Sequence, residues 1–303
     1  MNSPLLVKLK DSIKFIEDIN GKAKTEINIS GVKDDVKTHG YMEVIQADLL
    51  YKDFSEPFKN ISGRLEFTDE LVKLNNITGY VAQSSIKVSG KVTSDNYIDL
   101  NLSSPLIDLA KGRKLIKNSP VLIETEKAIS DFTNFTGTAS FSMKLSGDIE
   151  SKKIFEKAEF SSLNASFTNK QLGFPVKKIR GKILLTKDSL YTNRLHASVL
   201  DTPIIISGKI TGFESKKFIP DFNLLIDNFN FAKTGILVKA PIIPKDVKDY
   251  FALFRNYKGF LNADVSVKAA SYKAKVNFKN ASTIYNTTDI PITFSSGRII
   301  LTN

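Results

Sequence analysis

The chain has 303 residues, of which 42% are hydrophobic, enough apolar material for a large folded body and too much for global disorder. It has no cysteine, which excludes disulfides, thiolate metal sites and cysteine nucleophiles. The net charge of +11 comes from scattered Lys and Arg, and no tryptophan is present for base stacking. The charge therefore reads as a solvated cationic surface, with affinity for an anionic membrane surface as the alternative and no nucleic-acid partner expected.

In chain order, Met1-Asn2-Ser3-Pro4-Leu5-Leu6-Val7-Lys8 lacks the basic start and long apolar core of a signal peptide. No apolar run approaches the roughly 20 residues that a membrane-spanning helix needs. Leu5, Leu9, Ile13 and Ile16 predict a first amphipathic helix, with Gly21 placed as its left-handed C-cap. After that glycine the apolar period becomes two. Ile27-Asn28-Ile29-Ser30-Gly31 reads as a strand, followed by Ile61, Leu65 and Phe67, then Val72, Leu74 and Ile77, then Ile86 and Val88. Turn signals at Thr68-Asp69-Glu70 and Ser94-Asp95-Asn96 separate the runs.

A second helix is predicted after Ser119 as N-cap and Pro120 at the first helical position. Its stripe is Val121, Leu122, Ile129, Phe132 and Phe135, and Gly137 takes the C-cap place. Ala139, Phe141, Met143 and Leu145 then alternate up to Gly147. Ile183 and Leu185, the turn Thr186-Lys187-Asp188, and Ile204 and Ile206 continue the pattern. A third helix stripe is Val247, Tyr250, Phe251, Phe254 and Tyr257, closed by Gly259.

These elements recur. Pro-x5-Gly occurs as Pro57 to Gly63, Pro175 to Gly181 and Pro291 to Gly297. Ile86-Lys87-Val88-Ser89-Gly90-Lys91 returns as Ile204-Ile205-Ile206-Ser207-Gly208-Lys209. Three units are predicted: residues 1–117, residues 118–239 and a truncated third copy, residues 240–303. The truncation suggests a piece cut from a longer protein. Each unit is one short helix followed by antiparallel strands with one apolar face, and that face has to be hidden. A sandwich, a closed barrel or a curled trough would each hide it.

Little in the chain points to catalysis. His39 and His196 stand at non-equivalent positions of the repeat, without a second ligand at metal spacing. Asp34-Asp35 and Asp69-Glu70 sit at turns. Neither a phosphate loop nor a Gly-x-Ser-x-Gly elbow is present. The expectation is a non-enzyme with no catalytic residue, no cofactor and no metal.

The helix with Pro near its start, the Ser-Gly strand ends and the Pro-x5-Gly anchor together resemble the repeated region of AsmA-like envelope proteins of the YhdP type. TamB is a more distant likeness. Pro57-Phe58-Lys59-Asn60-Ile61-Ser62-Gly63-Arg64-Leu65-Glu66-Phe67 and Ile242-Ile243-Pro244-Lys245-Asp246-Val247-Lys248-Asp249-Tyr250 carry the likeness best. The resemblance implies a mainly β fold, an elongated curled sheet with an apolar groove and one short helix per repeat. It implies a bridge-like carrier whose groove takes phospholipid acyl chains between inner and outer membranes. The location implied is the periplasm, with anchoring to the inner membrane through a segment not present in this chain. The expected groove lining is Ile61, Leu65, Phe67, Ile86, Val88, Phe141, Met143, Leu145, Ile183, Leu185, Ile204 and Ile206. Two other readings remain open: a structural β-repeat stalk, and an assembly factor for outer-membrane proteins that receives strands along its edge.

Overall fold

The computed structural model describes residues 16–32, 35–52, 54–119, 123, 126, 129–148, 154–215, 217–241, 243 and 245–302. The fold is mainly β. The strands are β1 Ile16–Val32, β2 Asp35–Tyr51, β3 Phe58–Thr68, β4 Leu71–Val81, β5 Ser84–Thr93, β6 Tyr97–Asp108, β7 Phe132–Thr136 and β8 Thr138–Asp148. They continue with β9 Phe155–Asn169, β10 Pro175–Thr186, β11 Ser189–Val199, β12 Thr202–Thr211, β13 Ile219–Asn230, β14 Phe254–Lys268, β15 Ser271–Tyr285 and β16 Ile290–Thr302. Helix α1 is Leu109–Asn118. A 3-10 turn at Phe231–Lys233 leads into α2, Thr234–Leu237, and α3 is Lys245–Ala252.

Hydrogen-bonded neighbours follow chain order from β1 to β6 and from β8 to β16, with β6 beside β8; β7 pairs with β9 off this path. The result is an antiparallel sheet in which, among the described residues, β1 and β16 are not joined, so the path is not closed. The chain forms two compact units. One is Met1–Ala128 with Thr138–Phe160; the other is Ile129–Gly137 with Ser161–Asn303.

Local chemistry explains the strand boundaries. Each of the three predicted turn sequences lies between two strands: β3 and β4, β5 and β6, β10 and β11. The Thr68 hydroxyl accepts from the Glu70 and Leu71 amides (3.2 and 3.3 Å), and the Thr186 hydroxyl accepts from the Ser189 amide (3.0 Å). These contacts satisfy amides that a tight turn would leave open. Pro175 opens β10 and Pro57 directly precedes β3, where a missing N–H costs no ladder bond.

The boundaries keep a common spacing. β11 and β12 begin and end 118 residues after β4 and β5. Left-handed backbone follows the same interval: Asn60 and Lys178, Asn76 and Arg194. Each lies at a register shift in its strand pair, which marks a β-bulge.

The helix expectations need correction. Gly21 and Gly259 lie inside β1 and β14, and Gly137 lies between β7 and β8, so none of them ends a helix. Ile16 starts β1, Phe132 and Phe135 belong to β7, and Phe254 and Tyr257 belong to β14. In the third stripe, Val247, Tyr250 and Phe251 are helical, in α3. Leu5, Leu9, Ile13, Pro120, Val121 and Leu122 lie outside the described residues. Ser119 directly follows α1, and its buried hydroxyl accepts from the Ser55 amide at 3.0 Å; beyond it Ile123 and Glu126, within the second predicted helix, are helical. Helix α1 was not anticipated. It is capped by Asp108, whose carboxylate accepts from the Lys111 amide at 3.0 Å. Among the described residues no helix is long and apolar enough to cross a membrane.

Candidate functional site

Directly opposed residues of an antiparallel pair point to the same side of the sheet, so the registers define its faces. In the first unit one row reads Ile27, Gly40, Phe67, Val72, Val92, Ile98, Gly147 from β1 to β8. The next row reads Thr25, Met42, Leu65, Leu74, Gly90, Leu100, Leu145. Val88 and Met143 sit on the same side through Leu102, Phe141 joins through Ser104, Ile86 through Gly79 and Ile61 through Ala47. In the second unit a row reads Leu195, Ile206, Leu224, Val265, Ala274, Leu301. Beside it run Ala197, Ile204, Ile226, Ala263, Val276 and Ile299. Ile183 and Leu185 oppose Thr192 and Leu190 on that side. Each of the twelve residues singled out from the sequence thus lies on the apolar face of its own unit.

Burial on this face is unusual. The fully buried positions are mostly small, including Ala47, Ala139, Ala197, Ala263, Ala274 and Ala281. The twelve larger residues are all half-buried, none fully buried and none fully exposed. Large side chains cover the small ones and are themselves only partly covered. A dry two-layer core would bury the large side chains instead.

Three hydroxyls on the face are spent on backbone carbonyls. Thr192 Oγ1 donates to Lys182 O (2.7 Å), Thr283 Oγ1 to Arg255 O (3.0 Å) and Tyr257 OH to Phe251 O (2.7 Å). Ser104 Oγ is buried without a partner among the described residues. Burial holds the Tyr257 phenol above its usual pKa. What the face offers is hydrocarbon.

The opposite face is mostly polar, with Ile205, Leu225 and Ile300 among its apolar exceptions. In the first unit it carries a cleft of about 360 Å³ that includes Lys73, Lys91, Asp99 and Asn101. Lys144 pairs with Glu156 at 3.0 Å, and that hydrogen bond and charge raise the lysine above its ordinary pKa. His39 and His196 lie on this side, opposite Thr68 and Arg180 respectively. Among the described residues no group of three His, Asp or Glu is placed to hold a metal ion.

Where β11 turns into β12, Asp201 accepts a hydrogen bond from Lys233 Nζ at 2.9 Å, and the same ammonium donates to Leu200 O at 2.6 Å. That hydrogen bond, and then the lysine charge, hold the Asp201 carboxyl below the usual carboxylate range. Its folded pKa is depressed, so the pair contributes stability above the unfolded pKa, and this is lost as pH falls through the folded one. Lys233→Met is expected to raise the Asp201 carboxyl back to the ordinary aspartate range. A carboxyl-carbon NMR titration reads this directly; an unmoved Asp201 would show that Lys233 is not the cause.

The densest part of the apolar face is in the second unit. Phe254 and Tyr257 of β14, Phe278 and Thr283 of β15, and Ile292, Phe294 and Ile299 of β16 line a pocket of about 250 Å³. Phe231 and the α3 residues Tyr250 and Phe251 complete the lining. Phe231 packs edge-on to Tyr257 (4.9 Å between ring centroids) and to Phe278 (5.7 Å). Phe278 stacks on Phe294 at 5.4 Å. Sequence reasoning singled out Tyr250, Phe251, Phe254 and Tyr257, but as a helix stripe. It missed Phe231, Phe278 and Phe294, whose meeting depends on strand register.

Comparison with known proteins adds nothing to this description: no family model, no curated protein and no solved structure matches the chain.

Proposed function

We propose that the apolar face carries phospholipid acyl chains, and that the chain is a section of a bridge-like carrier between inner and outer membranes. The reading takes the strand pattern as a tandem repeat of the AsmA-like, YhdP type, with the sheet curled into a groove. It places the protein in the periplasm, held at the inner membrane by a segment outside this chain, and gives it no catalytic role.

One observation carries the reading: the twelve larger apolar residues share a face in each unit and are all left half-covered. The 118-residue spacing of strands and bulges supports the repeat. An acyl chain gains about 0.8 kcal/mol for each methylene it buries, so a continuous hydrocarbon face retains lipid without gripping its headgroup. The consumed hydroxyls fit that use, because a sliding chain meets few hydrogen bonds to break.

The test is purification in mild detergent followed by native mass spectrometry and lipid extraction. Phospholipid is expected to co-elute in stoichiometric amounts. Protein that stays lipid-free after incubation with phospholipid vesicles would overturn the reading.

A further inference from the structure

A comparison within the second unit explains why the aromatic pocket is open. Strands β7 and β9 pair with Phe132 opposite Asn169 and Thr136 opposite Ser166. Strands β14 and β15 repeat that register, with Phe254 opposite Tyr285 and Lys258 opposite Ser282. Phe132, Phe135 and Phe167 therefore correspond to Phe254, Tyr257 and Thr283. At the first place the Phe167 ring fills the space, 5.2 Å from Phe132 and 6.0 Å from Phe135. At the second a buried threonine stands in its position, with its hydroxyl spent on Arg255 O. The missing ring leaves an apolar space of about 250 Å³.

We propose that this pocket is a binding station for the end of a single hydrocarbon chain, and that Thr283 keeps it open. The inference rests on the lipid-carrying reading and adds a defined site to it. Size decides the occupant. An apolar cavity of about 150 Å³ holds a benzene-sized group, whereas drug-sized ligands take roughly 300–1,000 Å³. The pocket thus admits part of one chain and excludes a whole lipid. A helix, about 10–12 Å across with its side chains, does not enter it. Polarity excludes the headgroup as well, since the Tyr257 and Thr283 hydroxyls are both committed to backbone carbonyls.

The experiment is photolabelling of the full chain with a palmitate bearing a terminal diazirine, read by peptide mass spectrometry. The wild type is expected to carry label both on β14–β16 around Phe278 and along the apolar face of β3–β6. Thr283→Phe restores the ring found at Phe167 and is expected to cut pocket labelling at least tenfold while leaving β3–β6 labelling unchanged. Thr283→Val, which keeps the shape and loses the hydroxyl, is expected to label like the wild type. Should Thr283→Phe fail to fold, Ile292→Phe narrows the same pocket from β16. Label on β3–β6 with none at the pocket would overturn the station and leave the carrier reading standing. Label nowhere would overturn both. Equal pocket labelling in wild type and Thr283→Phe would overturn the role of Thr283.

Discussion

Gly259→Ala is expected to destabilise the second unit by more than about 3 kcal/mol. Gly259 lies inside β14 at φ +92°, a backbone conformation that costs an alanine about 1–3 kcal/mol. A Cβ there would lie 2.1 Å from Asn280 O and 2.6 Å from the Cα of Ala281. Both are backbone atoms of the paired strand, so β14 and β15 would have to separate to make room. They would separate at Ala281, which is fully buried. Gly235→Ala is the contrasting change. No atom lies within 4 Å of the added Cβ, and Gly235 is in α2, where alanine is favoured by up to about 1 kcal/mol. Urea unfolding of the two variants checks the difference. Similar midpoints would mean that the close approach at Gly259 relaxes without cost.

The second large effect concerns the proposed function. Ile206→Asp is expected to lower bound phospholipid at least tenfold, and Ile205→Asp to change it less than twofold. The two residues are neighbours on β12 and share its backbone environment. Ile206 opposes Leu195 and Leu224 on the apolar face, whereas Ile205 opposes His196 and Leu225 on the other. A carboxylate on the apolar face removes contact with two or three methylenes, about 2 kcal/mol, and must keep its own hydration. Tenfold corresponds to about 1.4 kcal/mol, so the loss is readily measured. Lipid extraction from both variants, each confirmed as folded by circular dichroism, decides it. Equal losses from the two would detach the apolar face from lipid binding.

The strands were the legible part of the sequence. Phe141, Met143 and Leu145 alternate with Ser142, Lys144 and Ser146, and period-two alternation is a local signal that fixes the face without knowledge of the partner strand. The turns were legible for the same reason. The ends of the second and third helix stripes were misread through a specific coincidence, whereas Val247, Tyr250 and Phe251 are helical as expected. Phe132 and Phe135 are three apart, as on a helix face, yet Asn134 between them has φ 53° and forms a bulge. One inserted residue brings both rings to the same side of β7, where each meets Phe167. Asn256, at φ 54°, does the same for Phe254 and Tyr257. A bulged strand and a helix turn thus leave the same spacing in the sequence. The glycines were ambiguous in a similar way, since a helix C-cap and a close strand approach both ask for positive φ. The aromatic pocket was not legible because it depends on Thr283 replacing a ring at one register position, and register is a non-local property.

The two end strands of the path bear on how the polypeptide behaves in solution. Among the described residues β1 pairs only with β2, and β16 only with β15. Ile27, Ile29 and Val32 are exposed on β1, as are Ile299, Ile300 and Leu301 on β16. Charged residues such as Lys22, Lys24 and Glu26 guard β1, but Arg298 is the sole charge within β16. A long apolar edge with one guarding charge is a template for adding further strands from solution. A polypeptide of these residues alone is therefore expected to associate edge to edge through β16 as its concentration rises, and light scattering over a dilution series checks it.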